Sequence, residues 1–176
     1  MARPAACVGC RVAAYAGARV VVQGHGLRER QQRGPATPGA PAECAVILVR
    51  RYQCTDCGAV MTVLPAAAQA FKHFSGAAVA MALALWGLGG QSARRVREQV
   101  NDWRPGPGAR GWRSLARWAR AAAARKLFAG LGLQGVVGPS RELATRVAQA
   151  LCGHAPPEAR QGPIHEQAFV GAAHVA

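Results

Sequence analysis

Two cysteine pairs, Cys7-Val-Gly-Cys10 and Cys54-Thr-Asp-Cys57, stand 43 residues apart in a chain of 176 residues. A two-residue spacing lets a tight turn aim two thiolates at one point. Two such knuckles at the ends of paired strands would complete a tetrahedral four-sulfur site of the kind Zn²⁺ takes in structural positions. Four thiolates leave no open coordination position, so a bound ion would be structural and not catalytic. Gly58, directly after the second pair, suits the turn because glycine accepts positive φ without steric cost. The same four thiolates could instead serve redox chemistry or an iron–sulfur cluster. His25 and Cys44 lie between the pairs and could substitute for a ligand, although Cys44 also suits a small buried apolar position. Cys152-Gly-His154 is too isolated to form a site.

The elements that must position these cysteines can be read from composition. Arg19 to Gln23, Cys44 to Gln53 and Ala59 to Leu64 are β-branched runs that predict strands. The last two would form the hairpin carrying the second knuckle. Arg33 to Pro41 is rich in proline and glycine and reads as a loop. After Pro65 alanine displaces the β-branched residues, and helices are expected over 76–88, 92–101, 111–128 and 140–152. The fold class is therefore α+β: a small N-terminal antiparallel β zinc ribbon over 1–65, then an all-α, helix-turn-helix-like bundle over 66–153. The tail 154–176, with Pro156, Pro157, Gly162 and Pro163, reads as loosely ordered. The longest apolar stretch, 76–89, is 14 residues. A membrane span needs about 20, so none is expected.

Charge is the second source of chemistry. The chain carries 22 basic and 8 acidic residues, a net +14, and 7 of the basic residues fall in 104–130, which has no acid. At ~100° per residue from Trp112, the third helix places Arg113, Arg117 and Arg120 on one narrow ridge. Leu115, Ala116, Ala119, Ala122 and Ala123 form a stripe beside it, and Ser114 and Trp118 fall on the remaining, exposed side. A ridge with no compensating acid one turn away repels itself unless it meets an anion. Arg110, and Arg94, Arg95 and Arg97 on the preceding helix, extend the basic set. These seven arginines are the candidate contacts to phosphates and guanine edges. Trp103 and Trp112 read as packing residues, not base-stacking platforms. The fourth helix has an apolar stripe of Leu143, Val147 and Leu151, fit for docking on the bundle or for a homodimer.

The segment Arg50-Arg-Tyr-Gln-Cys-Thr-Asp-Cys-Gly58, followed by Thr62 and Leu64-Pro65, resembles the second knuckle of the zinc ribbons of bacterial insertion-sequence transposases. An N-terminal C-x-x-C, the stretch His25-Gly-Leu-Arg-Glu-Arg30 and a downstream helix-turn-helix complete the pattern. It is similar to an uncharacterised bacterial family often found with mobile elements. The likeness covers about residues 7 to 125, with Val8 and Arg11 where related ribbons carry proline and glycine. It implies structural Zn²⁺ on Cys7, Cys10, Cys54 and Cys57, and duplex DNA as partner.

An enzyme is not expected. No acid lies between Asp102 and Glu142, so a three-carboxylate, two-metal centre has no donors there, and no Walker or nucleophile-elbow pattern occurs. The expected function is DNA binding at mobile elements, in a cytoplasmic, nucleoid-associated protein without a catalytic domain of its own. RNA or ribosome association, an interaction adaptor and an inactive element fragment are the alternatives.

Overall fold

The computed structural model describes residues 2–65, 68, 73–102, 111–133 and 135–175. The chain is mixed α and β and divides into two compact units. One comprises Met1–Gln31 and Val46–Pro65, the other Gln32–Ala45 and Ala66–Ala176. The expected boundary at Pro65 is thus only partly right, because residues 32–45 belong with the helical unit.

Strands β1 (Tyr15–Ala16) and β2 (Arg19–Val20) form a minimal antiparallel pair turning at Gly17, which has φ +59°. Strands β3 (Val22–Pro35), β4 (Ala42–Cys54) and β5 (Val60–Val63) form a sheet in that order. β5 runs antiparallel to β4, with Met61 opposite Tyr52. β3 is far longer than the expected strand over 19–23, and it consumes part of the expected loop. Its middle is exposed, so it carries no alternating apolar signal by which a strand is read. The core of this unit is small: Cys7, Ala14, Val21, Val22, Tyr52, Cys54 and Met61.

In the second unit, helix α1 (Gly76–Gly87) is buried along nearly its whole length. Helices α2 (Ala93–Val100), α3 (Arg113–Ala123), α4 (Ser140–Gly153) and α5 (Ile164–Gly171) all pack against it. A helix apolar on every side belongs at the centre of a bundle, and α1 occupies that place. Ser75 caps it, accepting from the Ala78 amide at 3.0 Å. The end of β3 is clipped to this start: Arg33 N donates to His73 O at 2.6 Å, and Ser75 N donates to Arg33 O at 3.1 Å. Gly34 closes the fit, because a Cβ there would lie 2.3 Å from the Ala78 Cβ. These contacts tie 32–45 to the helices.

Helix α3 ends at Ala123, five residues before the expected Phe128. The alanine run contains no stop signal; the stop is Arg125, at φ +57°. There the amides of Arg125 and Lys126 turn back to the carbonyls of Ala122 and Ala121, at 3.0 and 2.8 Å. Phe74, Trp112 and Trp118 form an edge-to-face trio with centroids 4.9–5.7 Å apart. Trp112 is a packing residue as expected; Trp103 and the loop around it lie outside the described residues. Trp118, expected on the exposed side, is buried in this trio. α2 and α3 each rest on α1 with little direct contact between them.

The tail corrects another expectation. Pro157 opens a short 3-10 turn, Pro163 caps α5, and Ala168, Phe169, Ala172 and Val175 enter the core. Proline is compatible with a helix start because the first amides need no intrahelical acceptor. These prolines therefore punctuate the tail without dissolving it. Close approach depends on glycine: a Cβ on Gly171 would lie 1.9 Å from Leu151 O. Gly171→Ala is expected to destabilise the helical unit by about 1–3 kcal/mol. Gly153→Ala, with nothing within 4 Å of the new methyl, should be neutral or slightly stabilising. Urea denaturation followed by circular dichroism compares the two.

Candidate metal centre and basic face

The four cysteines expected to ligate a metal converge: all four sulfurs lie within 4.8 Å of one another. Cys7 Sγ is 3.5 Å from Cys57 Sγ, and Cys10 Sγ is 3.8 Å from Cys54 Sγ. A single ion bonded to four sulfurs at about 2.3 Å sets them about 3.8 Å apart at the corners of a tetrahedron. The donor set therefore fits one tetrahedral ion. Cys7 and Cys54 are buried, while Cys10 and Cys57 are exposed. Among the described residues, neither His25 nor Cys44 joins the cluster, and Cys152 donates instead to Ile164 O at 3.3 Å.

The two knuckles are local copies of each other. In the first, Arg11 N donates to Cys7 O at 3.0 Å and Cys7 N to Val12 O at 2.9 Å. In the second, Gly58 N donates to Cys54 O and Cys54 N to Ala59 O, both at 2.9 Å. Each turn requires its fifth residue in the left-handed region: Gly58 has φ +74° and Arg11 has φ +65°. Arg11 thus adopts a backbone that glycine enters without steric cost. The knuckles meet at Gly9, where a Cβ would lie 3.2 Å from the Ala59 Cβ and 3.5 Å from Cys57 Sγ. Two further ties escaped the sequence reading. Thr55 N donates to Val21 O at 2.9 Å, and Arg19 grips Asp56 through two bonds of 3.1 and 3.3 Å. Neither carries a motif, because each pairs residues more than 30 positions apart.

The sulfurs differ in their protonation. The Cys10 amide, helped by that of Gly9 and by the Cys57 and Cys10 thiols, points at Cys7 and outweighs its desolvation, holding its thiol down at about 6. At Cys10 the Val12 amide pulls downward. Desolvation and the neighbouring sulfurs of Cys57, Cys7 and Cys54 outweigh it, and the thiol is pushed up to about 12. Crowded thiolates repel one another until a cation neutralises them. Binding a divalent ion must therefore expel protons, that of Cys10 among them.

The arginines expected to meet nucleic acid are not equivalent. Arg113, Arg117 and Arg120 are all exposed on α3. The buried residues Leu115, Trp118, Ala119 and Ala122 centre about 180° from this ridge at ~100° per residue. The ridge is therefore opposite the core stripe, not beside it as expected. Arg117 donates to Ser114 Oγ at 3.2 Å and Arg120 to Ser140 Oγ at 3.1 Å, which steadies both guanidiniums. On α2, Arg94 is paired with Glu98 at 3.1 Å, Arg95 is exposed, and Arg97 is half-buried. Arg110 lies outside the described residues. Among the described residues, no helix is long and apolar enough to cross a membrane. No protein-family model, curated protein or solved structure matches the chain.

Left-handed backbone costs a non-glycine residue ~1–2 kcal/mol, and glycine returns ~0.5–1 kcal/mol of that through its freer unfolded chain. Arg11→Gly is thus expected to stabilise the smaller unit by about 0.5–1 kcal/mol, and Gly58→Ala to destabilise it by a similar amount. Thermal melts of the metal-loaded variants measure both. Titrating the apo chain with a divalent thiophilic ion at pH 7.5 should acidify a weak buffer, and affinity should fall as pH falls, because protons compete for the thiolates.

Proposed function

We propose that the chain is a duplex-DNA-binding module associated with mobile elements, with no catalytic domain of its own. A structural Zn²⁺ would sit on Cys7, Cys10, Cys54 and Cys57, and the ridge of α3 would grip the duplex. Soft thiolates in a four-sulfur set favour Zn²⁺ among common divalent ions. Held by these residues, the ion supplies cross-linking and charge neutralisation and no open position for a reaction.

The observation that carries the DNA reading is the placement of Arg113, Arg117 and Arg120 on the most exposed face of α3, in a stretch without acids. A helix face of this width enters a major groove, and three guanidiniums along it suit phosphates and guanine edges. Arg95 on α2 adds a further exposed charge, whereas Arg94 is already neutralised by Glu98. The likeness of Arg50–Gly58 to transposase ribbons points to the same partner. α2 and α3 do not need to form a compact helix-turn-helix for the ridge to reach a groove.

Fluorescence titration of duplex DNA tests the reading. The logarithm of affinity should fall linearly with the logarithm of salt, and removing three phosphate contacts should flatten the slope by about 2–3 units. The Arg113→Ala, Arg117→Ala, Arg120→Ala triple variant should show that loss. Absence of binding at ~50 mM salt, or stronger binding to structured RNA than to duplex, would overturn the DNA assignment. Metal analysis of the purified chain should find one zinc per molecule, lost in Cys54→Ser together with the ribbon fold.

A further inference from the structure

Among the described residues, three positions other than glycine have positive φ: Arg11 at +65°, Arg125 at +57° and Phe128 at +51°. Phe128 is buried, and its place in the core of the helical unit accounts for its backbone. The two arginines have no such account, and each stands where glycine is the ordinary occupant. Arg11 is the fifth residue of the first knuckle, and Gly58 fills the same place in the second. Arg125 follows α3, where its amide and that of Lys126 bond Ala122 O and Ala121 O in the helix ending that glycine usually closes. Asparagine and aspartate offset left-handed backbone with short local hydrogen bonds, a means that arginine lacks. Both guanidiniums are exposed, and neither makes a hydrogen bond or an ion pair. The negative end of α3 favours a cation at Arg125, but no helix ends at Arg11. Nor does the Arg11 guanidinium bond any of the four sulfurs. What the two positions share is an unpartnered charge on a turn fixed by backbone bonds.

We propose that Arg11 and Arg125 are contacts to the phosphates of duplex DNA, one in each unit. The inference rests on the DNA reading above and extends it, because the smaller unit then holds the duplex itself instead of only carrying a metal. Backbone strain persists at binding positions because the surrounding fold imposes it and the ligand makes use of the residue so placed. A guanidinium stays charged and offers two parallel donors, which suits a phosphate. Charge agrees with this occupant: the smaller unit has seven arginines and no lysine, against Glu29 and Asp56 alone. At ~100° per residue Ala124 falls in azimuth between Arg113 and Arg117. The chain therefore leaves α3 on the side of the arginine ridge, and Arg125 prolongs that ridge with Lys126, also exposed, next to it.

Fluorescence titration of duplex DNA with the metal-loaded chain, together with thermal melts, tests the proposal. Arg11→Gly and Arg125→Gly should each weaken binding about five- to tenfold at ~0.1 M salt and flatten the salt slope by about one unit. Their melting midpoints should hold or rise, because glycine relieves the left-handed backbone. Arg11→Lys and Arg125→Lys, which keep the charge, should retain the salt slope. Affinity then follows the charge while stability follows the backbone, a separation that a merely structural role does not produce. Chelator competition should find the metal held as tightly in Arg11→Gly as in the wild type. A glycine variant that binds DNA like the wild type overturns its contact, and the DNA reading survives if the triple α3 variant still loses affinity. A loss of affinity with an unchanged slope also overturns the contact. Looser metal in Arg11→Gly overturns it for Arg11, whose charge would then serve the sulfurs. A wild-type chain that does not bind duplex DNA overturns both the proposal and the reading beneath it.

Discussion

The smaller unit is organised around four sulfurs crowded within 4.8 Å of one another. Among the described residues its core cluster has seven buried members, and two of them, Cys7 and Cys54, belong to the sulfur cluster itself. So small an apolar core buries too little surface to hold a loop-rich segment closed. A cation at the cluster would therefore both neutralise the mutual repulsion and supply the missing folding free energy. The matching backbone of the two knuckles, with Arg11 held in a conformation that costs energy, shows how completely that convergence governs the local chain. The other ties, Arg19 to Asp56 and Thr55 to Val21, brace knuckles whose positions the sulfurs set.

The helical unit solves a different problem with different means. This unit holds 31 of the chain's 39 alanines and few large side chains, which prevents a core built from bulk. Helix backbones must instead approach closely, and Gly87 against Thr145 and Gly171 against Leu151 show that they do. α1 contributes Ala78, Ala80, Ala82 and Ala84 to the interior, so its neighbours sit near its backbone on several sides. Larger residues are concentrated where filling is needed, in the Phe74–Trp112–Trp118 trio and in Leu115, Leu143, Leu151 and Phe169. This economy leaves the outer face of α3 free to carry arginine without compromising packing.

Much of this was legible from spacing. The four cysteines, the strand of β4, the turn at Gly58, and the starts of α1, α2 and α4 each follow from residues close together in the chain. Helix caps such as Ser75 and Ser92 are local bonds to amides three residues on, and local bonds leave local signatures. The exposed Arg113–Arg117–Arg120 ridge was also visible as a period. Its position relative to the core was not, because that depends on which side of α3 meets α1 and α4; Trp118 proved to belong inside.

The sequence by itself determined the two cysteine pairs, the types of most elements and the stretch where positive charge concentrates, since each is written in neighbours or in periods of two and 3.6. Only the tertiary structure decided that residues 32–45 join the helices, that the proline-bearing tail completes the core, and that Arg11 takes a glycine's backbone. Those outcomes arise from contacts between segments distant in sequence: Gly34 against Ala78, Gly171 against Leu151, one knuckle against the other. The free energy of such contacts overrides local preference, and no local pattern records it.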